Sequence, residues 1–423
     1  MNNEPVRSKE LLQVTLSHRQ PDRIPVDFGS TGVTGIHVRS IENLRNYYGL
    51  EYRPVKVTRP YQMLGEIEED LLDIMGVDVR GLKSPRNEFG IENTNWKEFR
   101  TFWGQVVLVP GDFNTTTDRN GDLLIHPQGD TSVPPSGRMP VSGYFFDTII
   151  RQPPIVESEL DPEDNLEEYG YITDESLEYW KSDLENTGKS GNGIISYFYG
   201  TALGDIARVP GPSLKNPRGI RDIEEWYTSL LTRPDYISEV FDKQTDIAIH
   251  NLARFAEIDN DIIDVAFICG TDFGTQNSLF CSREIFDELY KPYYRKVNDW
   301  IHSNTRWKTL KHSCGAIFDL IPDFIDSGFD ILNPVQISAR GMDPVKLKST
   351  YGKDIVFWGG GVDTQQVLSF GKPEEVRDQV RRQCEILGRD GGFIFSTVHN
   401  VQANVPVENL VAMLDAIREL GNP

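Results

Sequence analysis

The residues with the clearest chemical potential lie in His312-Ser313-Cys314-Gly315, where an imidazole and a thiol are two positions apart. They follow Trp307 to Lys311, a short run containing Trp, Thr and Leu that reads as a strand. Side chains at i and i+2 of a strand project to the same side, so His312 and Cys314 can address one point in space. Imidazole with thiolate favours zinc over magnesium or calcium. Two donors are an incomplete set, and His399, in Thr397-Val398-His399-Asn400, is the candidate for a third. Three protein ligands leave a fourth position open, as in catalytic zinc, whereas structural zinc usually takes four. The plainer alternative makes His399 a partner of a loop carbonyl and Cys314 a small hydrophobe.

Residues so far apart in the chain meet only if the intervening elements bring them to one place. Candidate strands centre on Val26, Val77, Ile194, Ile263, Thr309, Ile331, Ile355 and Phe393. Helical patterns separate the later ones, at 283–303, 317–327, 343–351, 373–388 and 407–420. Pro373-Glu374-Glu375 and Pro406-Val407-Glu408 place proline and acids in first turns. Earlier helices are expected at 38–48 and 235–258, and at 61–75, where Leu64, Ile67, Leu71, Leu72 and Met75 recur at helical spacing. Eight strands alternating with helices predict a closed α/β fold, a (β/α)8 TIM-type barrel filling one domain over 1–423. Between 91 and 140, short runs of Trp, Phe, Thr and Val broken by Asn, Asp and Gly predict a small β-rich hairpin insertion; 127–139 reads as loop. An open doubly wound sheet is the competing architecture. No G-x-G-x-x-G follows the first strand, and Gly359-Gly360-Gly361 leads to Val362-Asp363 without a phosphate-binding lysine.

In a barrel every strand C-terminus opens onto one mouth. His312 and Cys314 fall after the fifth predicted strand and His399 after the eighth, so a shared ion becomes geometrically possible. Other polar residues collect at the same strand ends: Asp27, Tyr199, Asp272 with Gln276, Asn333 with Gln336, and Asp363 with Gln365. Each can cap a helix or fix a turn, and Asp363-Thr364 is a plausible N-cap. As a set they exceed what capping requires, and Asp272 and Asp363 lead the candidates for touching substrate. Arg340 suits a carboxylate or phosphonate. An open zinc either holds a substrate thiol as thiolate for attack on an alkyl carbon or supplies hydroxide for hydrolysis. A barrel metallohydrolase would more often carry an early H-x-H pair; this chain has Asp27 there.

With 423 residues and a formal charge of -21, from 64 acidic against 43 basic residues, the chain offers no footprint for nucleic acid. Hydrophobic residues make up 38%, and no apolar run is long enough to cross a bilayer. Four cysteines at this length do not form a disulfide framework. With a start, MNNEPVRSKELL, that lacks the form of a secretory signal, the expectation is a cytoplasmic protein, monomer or homodimer.

Several of these segments together resemble the uroporphyrinogen decarboxylase superfamily. They are His312-Ser313-Cys314-Gly315, Ile331 to Gln336, Phe357 to Gln365, Val398-His399-Asn400, Asp272 to Gln276 and the opening Arg19 to Pro25. The resemblance implies a distorted (β/α)8 barrel and two branches of chemistry. True uroporphyrinogen decarboxylases need no metal and bind substrate through an arginine-containing N-terminal segment and an aspartate. The matching stretch here, Phe28 to Val33, has no arginine. The other branch is similar to corrinoid-dependent methyltransferases, including methylcobamide to coenzyme M enzymes, in which a His-x-Cys pair and a later Cys hold zinc. His312 and Cys314 match the pair, and His399 stands where the later Cys is expected. That likeness implies zinc, a methyl group moved between a corrinoid on a partner protein and a thiol or other small acceptor, and Asp272 or Asp363 orienting the acceptor. Two readings compete with it: a cofactor-free decarboxylase or lyase of a small carboxylated compound, using Asp27 or Asp272, and a barrel that binds a tetrapyrrole without turnover.

Overall fold

Seven short strands pair in parallel in unbroken chain order. They are β1 (Val79–Gly81), β2 (Gly193–Tyr197), β3 (Val265–Cys269), β4 (Lys308–His312), β5 (Ile331–Asn333), β6 (Val356–Trp358) and β7 (Phe393–Ile394). In this computed structural model, which describes residues 8–421, the segment around Val26 closes the gap between β7 and β1. On one side Asp27 N donates to Phe395 O (2.9 Å) and Phe395 N to Pro25 O (2.8 Å); on the other Asp78 N donates to Val26 O (2.8 Å). The expected eight-stave barrel is therefore present, with its first stave reduced to a bridge. Pro21 and Pro25 lack the N–H a longer ladder needs. Asp78 fixes this seam: Arg23 grips it with two bonds of 2.6 Å, and Val26 N and Ser8 Oγ donate to it at 2.9 and 2.7 Å.

Period-two alternation sends one set of side chains into the barrel. Val79, Ile195, Val265, Phe267, Leu310, Ile331, Val356, Trp358 and Ile394 fill it, with Leu12 and Leu16 of the helix Ser8–Leu16 packed against them. Fully burying such side chains stabilises the fold by ~1.5–3 kcal/mol each. The opposite faces pack against the outer helices, among them Pro234–Ile258, Pro344–Tyr351, Pro373–Leu387 and Val407–Gly421. The helix opening at Arg283 runs to Asn304, with a π turn over Phe286–Tyr290 just before Pro292, whose missing N–H disrupts the regular ladder.

Two stretches differ from their predicted structure. Helix occupies only Glu69–Met75 of 61–75; before it come a 3-10 turn, Pro60–Gln62, and a hairpin pairing Val57–Arg59 with Leu64–Gly65. Helical spacing of Leu64 and Ile67 lost to tertiary packing there, because Gly65 lies against Val55 and Ile41 where a Cβ would meet carbons at 2.5 and 2.7 Å. The stretch 127–139 is not all loop. Gly137–Met139 is the third strand of an antiparallel sheet with Thr115–Thr117, Leu123–Ile125 and Asp147–Thr148, beside a hairpin of Lys97–Arg100 with Val106–Val109. Among the described residues no helix is long and apolar enough to cross a membrane.

Candidate metal centre at the barrel mouth

β4 ends at His312, and the chain turns at once through Ser313-Cys314-Gly315. The turn depends on Gly315: its φ is +94°, and a Cβ there would sit 2.3 Å from the Gly274 backbone. That close approach joins the loop after β4 to the loop after β3. Cys314 N donates to Asp272 Oδ1 (2.7 Å), Phe273 N to Ser313 Oγ (2.9 Å), and Ala316 N to Thr275 O (2.8 Å). Gly315 N donates to Gln336 Oε1 (2.7 Å), whose amide donates in turn to Gln276 Oε1 (3.1 Å). The thiol is thus carried on a loop pinned from both neighbouring staves.

His312 is fixed by Asn333 at the end of β5. The Asn333 amide donates to Trp358 O (2.9 Å), so its oxygen faces His312 Nδ1 at 2.6 Å. Nδ1 is then the protonated nitrogen, and the lone pair of Nε2 points to the mouth. Cys314 Sγ lies 3.5 Å from that Nε2. The His399 ring stands across from it, with centroids 5.6 Å apart, and the donor atoms of His312, Cys314 and His399 all fall within 4.8 Å of one another. Zinc with sulfur at about 2.3 Å and nitrogen at about 2.0 Å, at the tetrahedral angle, sets sulfur and nitrogen about 3.5 Å apart. The Cys314–His312 pair therefore has the spacing of zinc ligands, His399 lies close enough to complete the set, and the donor types suit zinc.

Burial sets the protonation of the three. It holds His312 down at about 3, helped by the nearby His399, and it also lowers His399. Both imidazoles are neutral at pH 7, the form that binds metal. Burial pushes the Cys314 thiol well up, and the Asp272 charge adds to the effect, so the thiol keeps its proton until a cation arrives. Asp272, itself raised by burial, sits with Oδ1 3.8 Å from His312 Nε2.

The remaining candidates divide. Asp272, Asn333, Gln336 and Gln276 belong to the network that holds His312 and the Cys314 turn, although Gln276 is largely exposed. Asp27 is fully buried and accepts from Ser30 Oγ (2.8 Å) and Trp358 Nε1 (3.0 Å); burial raises it to about 6. Asp363 accepts from Gln365 N (3.0 Å), which fixes a turn instead of capping a helix, since the next helix, Val367–Phe370, has Gln366 at its N-cap; Gln365 itself is exposed and bonded to Ser338. Arg340 is exposed, its backbone bonded to Gln276 O (3.0 Å), and Tyr199 is exposed against Trp180. The structure brings none of Asp363, Gln365, Arg340 and Tyr199 into hydrogen-bond contact with the three donors. Sequence reasoning passed over the wall beside His312. Phe267 lies 6.2 Å from its ring, Tyr197 4.3 Å from Phe267, and the Arg59 guanidinium 5.3 Å over Tyr197. Alternation along β2 and β3 points Tyr197 and Phe267 inward and could have found both; nothing local marks Arg59.

Residues 215–420 match the family model described as Uroporphyrinogen decarboxylase (URO-D). Over 97 residues, 21% of the chain, the sequence is 31% identical to uroporphyrinogen decarboxylases of Aliivibrio salmonicida and Photobacterium profundum. The matched stretch spans 27% of the length of each relative. A methyltransferase from Methanosarcina mazei shares the fold, with a TM-score of 0.53 at 15% identity over 98% of this chain and 99% of that one. The family match covers just under half of the chain, and it takes in β3 through β7 and all three donor residues on a barrel closed as described.

Proposed function

We propose that this protein is a zinc-dependent methyltransferase that moves a methyl group between a corrinoid, carried by a partner protein docked at the barrel mouth, and a thiol or other small acceptor. One observation carries the reading: a thiol and two neutral imidazoles from the ends of two separate staves converge within 4.8 Å, with 3.5 Å between Sγ and Nε2. His312, Cys314 and His399 would hold the ion, leaving one position for the acceptor. Bound there, zinc supplies a Lewis acid that keeps an acceptor thiol ionised at neutral pH. Asn333 keeps the His312 lone pair aimed at the site, and Asp272 holds the Cys314 backbone with its carboxylate 3.8 Å from His312 Nε2. With a second imidazole in place of a second thiolate, less negative charge surrounds the ion. An acceptor bound there is less nucleophilic, so coenzyme M is not required as the acceptor.

The test is metal content. Purified protein is expected to hold about one zinc per chain, and Cys314→Ala to lose it together with methyl transfer from methylcobalamin to thiols. Zinc-free wild-type protein with a functional barrel sinks the proposal. A cofactor-free decarboxylase is the second reading, favoured by Asp27, a buried carboxyl that titrates at about 6. It requires activity that survives chelation and Cys314→Ser.

A further inference from the structure

β3 does not run in register to its end. Phe267 pairs with Leu310 but Cys269 with Lys311, so one extra residue is accommodated just before the loop that carries Asp272. Such a bulge turns the chain out of the ladder and re-aims the residues beyond it. The carbonyl of Thr271, in a residue with no exposure, is taken by a side chain: Lys311 Nζ donates to it at 2.6 Å and to His312 O at 2.6 Å.

This lysine is out of place by pattern. Leu310 points into the barrel, so Lys311 points outward into the layer between sheet and helices, where apolar residues belong. It has no exposure, and among the described residues no carboxylate is within ion-pair distance. Its ammonium lies 5.0, 5.5 and 5.8 Å from the ring centres of Phe273, Phe324 and Tyr294. A buried ammonium is costly, and rings and carbonyls offset that only in part. Methionine or leucine would fill the slot without the penalty, so the donors themselves need a reason.

We propose that Lys311 is a positioning residue for the metal centre, stapling the loop after β3 to the ligand-bearing turn after β4. The connection forms a closed circuit. Nζ holds Thr271 O; the next residue, Asp272, receives Cys314 N; Phe273 N binds Ser313 Oγ; and the turn returns through His312 O to the same Nζ. The far side of Thr271 is fixed as well, since its hydroxyl donates to Leu203 O at 2.5 Å. Without the staple, the bulged segment would keep the Asp272 and Ser313 contacts but lose the anchor that sets their distance from His312. The inference rests on the zinc reading above.

The experiment titrates zinc into metal-free wild-type protein and Lys311→Met, using a competing chelator, and records the ligand-field spectrum of the cobalt(II)-loaded forms. Lys311→Met fills the slot and removes every donor. It should fold, bind zinc about 10- to 100-fold more weakly, as loss of groups that orient metal ligands does, and show an altered cobalt spectrum. Thr309→Val, two residues back on the same outward face, also loses a buried bond, to Gly328 O (2.9 Å), and should leave zinc affinity unchanged. If Lys311→Met does not fold, Lys311→Gln, which retains a donor, is measured instead and should show a smaller loss. Zinc affinity within about twofold of wild type and the same cobalt spectrum in either folded variant overturns the proposal while leaving the zinc reading intact. Failure of both variants to fold also overturns it, by making Lys311 a requirement of the fold. Absence of zinc binding in the wild type defeats the reading beneath it.

Discussion

At the scale of single residues, burial keeps two imidazoles unprotonated and one thiol protonated, the state from which the proposed zinc site would load. His312 is held near 3 and His399 is also lowered, both chiefly by burial, whereas burial and the Asp272 charge raise Cys314. Zinc binding at pH 7 is therefore expected to release about one proton per ion, from Cys314 alone. Calorimetric titration of zinc in buffers of different ionisation enthalpy reads this number directly. Release of two, or of none, would show that the donor set is not the one described. His312 and Cys314 were legible in the sequence because a strand puts i and i+2 on one side. Asp272 was legible only as a polar residue at a strand end, since its bond to Cys314 N depends on the close contact of Gly274 and Gly315. Lys311 was illegible: a lysine in a strand ordinarily means an exposed face.

At the scale of elements, period and punctuation located all eight staves, including the one reduced to a bridge at Val26. They misread 61–75, where helical spacing of apolar residues was overruled by a hairpin packed against Val38–Tyr47. That helix opens on a titratable cap. His37 Nδ1 accepts from Arg39 N (3.1 Å), so the proton is on Nε2, which donates to Tyr144 O (2.9 Å). Burial holds His37 at about 4, below its ordinary 6.5. Between those values the unfolded chain takes up a proton that the folded one refuses. The contribution of His37 is thus complete above 6.5, is lost as pH falls, and levels off below about 4. The gap corresponds to ~3 kcal/mol. His37→Asn keeps an acceptor for the cap and removes the titration. Wild-type protein should lose more stability than this variant on going from pH 7 to 4.5, by up to ~2–3 kcal/mol in denaturant unfolding. Equal losses would show that the imidazole is not what the acid limb of that helix responds to.

For the whole molecule, the donors meet across one curled sheet: His312 follows β4 and His399 follows β7, reached through β5 and β6, and the Val26 segment joins β7 to β1. The seam is its thinnest part, a bridge with prolines on one side, and a single carboxylate does what a ladder does elsewhere. Asp78 is 1% exposed and receives Arg23, Ser8 Oγ and Val26 N. Removing it leaves Val26 N without an acceptor and loses charge-assisted bonds, so Asp78→Ala should cost ~3 kcal/mol in unfolding free energy. Arg86→Ala, whose partner Glu92 lies in an exposed pair (64% and 57%), should stay within ~0.5 kcal/mol. The zinc proposal ties the mouth to the seam. An ion bound only when both sides of the mouth are in place stabilises the closed barrel, by ~4 kcal/mol at a thousandfold excess over its dissociation constant. Saturating zinc should consequently restore most of what Asp78→Ala removes, and should restore nothing when Cys314→Ser is added. Recovery without the thiol would place the ion elsewhere. No recovery in Asp78→Ala alone would mean that zinc does not bind the folded variant through these donors, since any ion held only by the folded chain raises its stability.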